Sequence, residues 1–159
     1  MPRDNGPSYV LDTSALIQIL TPQRSQLHRR AVDNFLRLRG AGFKFYVPAI
    51  AYHEAMRGAE LASLKYGDKK ELNALRNLVK LGGVRLLDLS NVVLRRADKL
   101  WAELVHSGKT VDNAKLSGDV VIAAEVRTLR RAEAGKVVLT ENSKHFDAMG
   151  VRNERLSEA

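Results

Sequence analysis

The apolar positions change period along the chain, and the changes mark its elements. Ser8-Tyr-Val-Leu11 is a short apolar run ending at Asp12, as a buried strand would be. Thr13–Leu20 follows as a helix that Pro22 stops. Leu27, Ala31, Asn34, Phe35 and Leu38 recur at helical spacing and predict a helix over 24–39, closed by Gly40. Phe43-Lys-Phe-Tyr-Val47 reads as the second strand, and Pro48 suits the first turn of a helix reaching about Leu64. Asp68 caps a helix to Leu81, Gly82-Gly83 turns the chain, and Val84-Arg-Leu-Leu87 is the third strand. Asn91–Val105 is a long helix and Ser107-Gly-Lys109 a loop; Gly118-Asp119 opens a helix to about Ala132. Lys136-Val-Val-Leu139 is the fourth strand, and Val151-Arg152 adds a short fifth.

Strands separated by helix pairs imply an α/β fold: a parallel sheet of four to five strands with helices on both faces, three layers in all. No repeat, linker or biased segment interrupts the 159 residues, so the chain is expected to be one domain with its core at about 8–152 and short polar tails. In such sheets ligands bind beyond the carboxyl ends of the strands, where the strand order reverses. The residues to inspect are therefore Asp12-Thr-Ser14, those after Val47, and Thr140-Glu-Asn142.

Composition narrows the classes. With 45% hydrophobic and 28% charged residues, the chain has enough apolar mass to fold and is not a disordered segment. It has no Cys, which excludes disulfides, thiolate metal sites and cysteine nucleophiles. The start is polar and no apolar run approaches the ~18 residues of a membrane span, so no membrane association is expected and the cytoplasm is the expected setting. Lys and Arg number 26 against 18 Asp and Glu, a formal charge of +8. Six basic residues and one acid lie between Arg24 and Lys44, and a second basic stretch runs from Lys65 to Arg85. That excess suits a polyanion, nucleic acid first, although it also serves solubility alone.

The acids are more informative. Asp12 follows a strand and precedes a helix, the position of an N-cap and also of a strand-end ligand. Glu54 falls on the helix face traced by Val47, Ile50, Ala51, Ala55, Gly58 and Leu61. A carboxylate on an apolar face must be paired, protonated or bound to a cation, with an arginine as the alternative to a metal. Gly58, one turn on, suggests close packing there. Asp119 heads a stripe of Ile122, Ala123 and Val126, so it points inward or caps its helix. Glu125 and Glu133 lie off that stripe and read as solvated. Thr140-Glu-Asn142 leaves the fourth strand at the same sheet end as Asp12, as a polar turn or as a source of hydroxyl and amide oxygens. Three carboxylates at one sheet end repel unless a cation compensates, and oxygen-only donors favour Mg²⁺ or Mn²⁺ over Zn²⁺. None of the four His shows metal-pair spacing, and His145 reads as structural or solvated.

Four blocks in order carry a family resemblance. Val10-Leu-Asp-Thr-Ser-Ala-Leu-Ile17, Val47-Pro-Ala-Ile-Ala-Tyr-His-Glu-Ala-Met-Arg-Gly58, Gly118-Asp-Val-Val-Ile-Ala-Ala124 and Val138-Leu-Thr-Glu-Asn-Ser-Lys-His-Phe146 resemble the successive blocks of PIN-domain nucleases. They are most similar to the VapC-like toxins of bacterial toxin–antitoxin pairs. The resemblance implies a PIN-like fold and a Mg²⁺- or Mn²⁺-dependent endoribonuclease whose catalytic and metal-binding residues are Asp12, Glu54, Asp119 and Asn142. Ser14 and Thr140 match supporting polar positions. The fourth position falls on Asn142, where the family has Asp or Asn, with Glu141 and Asp147 as substitutes. The resemblance further implies an RNA substrate, a cognate antitoxin and a homodimer. The alternatives are an RNA-processing nuclease without a toxin role and a non-catalytic nucleic-acid-binding module on the same fold. A haloacid-dehalogenase-like phosphohydrolase would need a second Asp two residues after Asp12, and position 14 is Ser.

Overall fold

Every strand of the sheet runs parallel to its neighbours, which forces each connection to cross over through helix. The structure, a computed structural model, describes residues 8–109, 113–129 and 136–159. In chain order it has β1 (Ser8–Leu11), α1 (Thr13–Leu20), a 3₁₀ turn at Pro22–Arg24, α2 (Gln26–Gly40), β2 (Lys44–Pro48), α3 (Ala49–Tyr66) and α4 (Lys70–Leu78). Then come β3 (Val84–Leu87), α5 (Asn91–His106), α6 (Asn113–Thr128), β4 (Val137–Leu139), α7 (Ser143–Ala148), β5 (Asn153–Glu154) and a last 3₁₀ turn at Leu156–Glu158.

The sheet order is β3-β2-β1-β4-β5. The chain builds outward from β1 to β2 and β3, then crosses back to place β4 on the other side of β1. Val10 is thus in register with Tyr46 on one side and Val138 on the other. With right-handed crossovers, that reversal puts α1–α4 on one face and α5–α7 on the other. The central strands are covered on both faces: Val10, Leu11, Phe45, Val47, Val138 and Leu139 are all fully buried. The strand order reverses between β1 and β4, so the crevice expected to take a ligand opens beyond Leu11 and Leu139.

The predicted α/β layering holds, and the sheet has the higher of the two expected strand counts. Several local expectations are corrected. α6 begins at Asn113 rather than at Gly118, so Asp119 is interior to the helix and is not its cap. Its expected end near Ala132, and Glu133 with it, lie outside the described residues. α4 stops at Leu78, and the fifth strand is Asn153–Glu154, not Val151-Arg152. α7 was not expected: six residues are too few to show a helical period. Glu125 is not solvated but only 3% exposed, because α5 packs along the side of α6 away from Asp119. On α3 the buried line is Ala51, Ala55 and Ala59, with Leu61 exposed and Glu54 half-buried at its edge. No helix of the described residues is long and apolar enough to cross a membrane.

Candidate active site

Asp12 leaves β1 still hydrogen-bonded to the sheet, its N–H donating to the Leu139 carbonyl at 3.2 Å. Its side chain caps α1: Oδ1 accepts from the Ala15 N–H at 2.9 Å and from the Ser14 hydroxyl at 2.7 Å. The Thr140 hydroxyl donates to Oδ2 from the end of β4. The N-cap reading is therefore correct and incomplete, since a cap needs one oxygen and Asp12 has a second facing the crevice side. The carboxyl is 1% exposed. Burial pushes its pKa up to about 6, against the pull of the Thr140, Ala15 and Ser14 donors, and the nearby Asp119 charge adds to the rise.

Ser14 and Thr140 each do a second job. Ser14 Oγ accepts from the Glu141 N–H at 2.9 Å, and Thr140 Oγ1 accepts from the Asn142 N–H at 2.8 Å. Two hydroxyls thus tie the turn after β4 to the Asp12 carboxylate, which positions both at once.

Glu54 arrives from α3. Its Oε2 accepts from the Thr13 hydroxyl at 2.5 Å, and no cation is paired with it among the described residues. A Cβ built on Gly118 would lie 2.7 Å from Glu54 Oε1. The close approach foreseen at Gly58 belongs to Gly118 instead; a Cβ at Gly58 meets nothing within 4 Å. Gly118→Ala should consequently shift the Glu54 side chain, the flexible partner, rather than unfold α6. Ala also gains ~1 kcal/mol of helix propensity over Gly. The expected outcome is a melting temperature near that of the wild type with disturbed chemistry at Glu54, read by thermal melts beside activity assays.

Asp119 sits one residue further along α6, 8% exposed. Burial raises its pKa, the hydrogen bond and charge of His145 lower it, and the Glu54 charge raises it. His145 Nδ1 lies 2.5 Å from Asp119 Oδ2, so of the two readings, structural or solvated, the half-buried imidazole follows the first. No local pattern in the sequence marks it, since its partner comes from α6.

Asn142 stands at the N-cap of α7, exposed, with its side chain outside the capping bond. The two substitutes for it are engaged elsewhere. Glu141 accepts from Gln18 Nε2 at 2.9 Å and lies 3.6 Å from Arg155 Nε. Asp147 accepts from Asn153 Nδ2 at 2.8 Å.

The structure thus brings Asp12, Glu54 and Asp119 to one sheet end, near enough that Asp119 acts on Asp12 and Glu54 on Asp119. As placed, no three His, Asp or Glu side chains among the described residues form a ready cage for a metal ion. Each carboxylate is turned instead to a donor: Thr140, Thr13 or His145. The donor set still fits a hard divalent cation by its chemistry, being all oxygen and mutually repulsive without one.

Residues 9–150 match the sequence model of the PIN domain. The chain belongs to the PIN-domain family. PIN domains are nucleases, and the family generally uses a divalent metal. No curated protein sequence matches the chain. Solved structures share the PIN fold. VapBC-1 from nontypeable Haemophilus influenzae is 19% identical, over 94% of this chain and 98% of that one, with a TM-score of 0.63. DNA-bound VapBC from Salmonella typhimurium is 20% identical, over 95% and 99%, at 0.68. FitAcB from Neisseria gonorrhoeae is 20% identical, over 95% and 99%, at 0.62.

Proposed function

We propose that this chain is a single-domain, Mg²⁺- or Mn²⁺-dependent endoribonuclease and the toxin of a toxin–antitoxin pair. The observation that carries the reading is the meeting of Asp12, Glu54 and Asp119 where the strand order reverses, with no cation paired to Glu54 among the described residues. A bound divalent ion supplies charge stabilisation at the scissile phosphodiester. Asp12, Asp119 and Asn142 are the residues to hold it. Ser14 and Thr140 keep Asp12 aimed, and Glu54 is the acceptor for the proton of an attacking water.

Basic side chains bring the RNA backbone, and the structure sorts them. Arg24 lies 3.9 Å from Glu71, Arg37 donates to the Ala159 carbonyl and Arg39 to the Gly82 carbonyl. These three serve the fold first. Arg29 and Arg30 are exposed on α2 and suit the phosphate role.

The partner reading rests on the likeness to VapBC and FitAcB structures and on a groove. Between α1, α3 and α4 lies a space of about 220 Å³, walled by Ile17, Leu20, Ala55 and Ala59, with Glu54 at its lining. An antitoxin segment seated there reaches the carboxylates directly, and an arginine on it competes with the metal. The toxin is expected as a homodimer.

The test is cleavage of RNA by the purified protein in Mn²⁺, abolished by chelator. Binding without cleavage would mark a non-catalytic module instead. A second readout needs no substrate. Mn²⁺ at a hundred times its dissociation constant should stabilise the wild type by ~2.7 kcal/mol. Glu54→Gln should gain far less from Mn²⁺ and be no less stable than wild type in chelator, because it removes a charge beside Asp119. A large loss of stability in chelator would instead assign Glu54 to a structural ion pair.

A further inference from the structure

On the side of α6 away from Asp119, the helix carries a carboxylate that the nuclease reading leaves unused. Glu125 is 3% exposed, and its Oε2 has no hydrogen-bond partner among the described residues. A buried polar atom of that kind is rare in folded proteins and asks for an occupant. Glu125 lines a cavity of about 140 Å³ between β3, the start of α5 and the end of α6. Leu87, Val93 and Leu129 form apolar walls, and Thr128 adds a hydroxyl. Asp88 and Ser90, both exposed, stand at the mouth.

The charges select the ligand. Among the described residues, two carboxyls and no basic side chain line the space. Arg96 Nη1 donates to Thr128 Oγ1 at 2.9 Å, which directs that end of the guanidinium to the hydroxyl and not to Glu125. Thr128 Oγ1 donates its proton to the Ala124 carbonyl and so does not spend it on Glu125. Size selects further. The cavity is smaller than the ~300–1,000 Å³ of ordinary small-molecule sites and close to the ~150 Å³ that holds one benzene ring. It has room for a side-chain-sized group with an apolar stem and a donor-rich head.

We propose that this pocket binds an alkylammonium or alkylguanidinium group, its head on Glu125 and its stem against Leu87, Val93 and Leu129. The same chemistry is carried by a free small amine and by a lysine or arginine side chain of another protein. Burial also lifts the Glu125 carboxyl towards neutrality, and a bound cation would restore its charge. The site is separate from the nuclease chemistry, and its test does not involve RNA.

The experiment is a titration of the isotope-labelled protein at pH 8 with n-butylammonium chloride, followed by backbone amide NMR. Tetramethylammonium chloride at equal ionic strength is the control, since it has the charge without N–H donors. Saturable shifts at Leu87, Ser90, Thr128 and Leu129 are expected with n-butylammonium and not with the control. Glu125→Gln should weaken the apparent affinity by about tenfold or more, as loss of a charge-assisted hydrogen bond would. Asp88→Asn, on the exposed rim, should weaken it less and serves if the first variant does not fold. Acetyl-lysine methylamide, compared with its norleucine analogue, separates the sources. Binding of the lysine compound admits a protein side chain, and binding of n-butylammonium alone restricts the site to free amines. Absence of saturable shifts, equal shifts with tetramethylammonium, or undiminished binding by Glu125→Gln would each overturn the proposal.

Discussion

Asp119→Asn is expected to lower Mn²⁺-dependent RNA cleavage by more than about a hundredfold, the scale on which single transition-state-stabilising groups act. It is also expected to leave the fold as stable as before. Asp119 is buried, its carboxyl is raised by burial, and Glu54 repels it. Asn keeps the shape and an acceptor for His145 while removing the charge that a cation needs. Asp12→Asn is the less clean test. Asp12 accepts from Ala15 and Ser14 on one oxygen and from Thr140 on the other. An amide presents N–H to one of those sides, so activity and the cap of α1 fall together. Comparing the two variants separates loss of chemistry from loss of structure: both should be inactive, but only Asp12→Asn should melt earlier. Near-normal cleavage by Asp119→Asn at saturating metal would end the proposed assignment.

What the sequence displayed and what it concealed divide along physical lines. β1, β2 and β3 are apolar runs closed by Asp12, Pro48 and Asp88, and a run of that kind shows itself locally. Asp12, Glu54 and Asp119 could be singled out because each is an acid at a strand end or on an apolar stripe, and the topology carries all three to one crevice. Gly118 misled because a glycine before an acid looks like a helix start. It is interior to a helix that starts at Asn113, and glycine stands there because Glu54, 64 positions away in sequence, occupies the space a side chain would need. His145 stayed undecided, and Glu125 was misjudged, for a related reason. Each owes its environment to a partner from another element, Asp119 for the first and α5 for the second, and helical period within one segment carries no such information. β5 consists of two polar residues whose strand character is conferred wholly by bonds to β4, as in Thr140 N–H donating to the Glu154 carbonyl at 2.9 Å.

Glu125→Gln is expected to produce the largest gain in stability, growing as pH rises from about 4.5 and full above about 7. Burial pushes the Glu125 carboxyl from an ordinary value of 4.5 up to about 7 in the folded chain. Between those two values the folded state holds a proton that the unfolded state has released. Stability contributed by this group is therefore complete below about 4.5 and declines as pH rises through about 7. The loss, complete above about pH 7, is on the order of 3 kcal/mol at 1.36 kcal/mol per pKa unit, and Gln, being neutral, does not incur it. The variant should accordingly melt several degrees above wild type at pH 8, at roughly 2–4 °C per kcal/mol for a chain of this size. At pH 4.5 the gap should nearly close, leaving only the difference between two neutral side chains. Melts of both proteins across that range measure it. Adding n-butylammonium at pH 8 should narrow the gap from the wild-type side alone, since the cation needs the carboxylate that the variant lacks. Identical pH profiles for the two proteins would show that Glu125 ionises as freely folded as unfolded, and that water reaches a carboxyl the packing of α5 on α6 encloses.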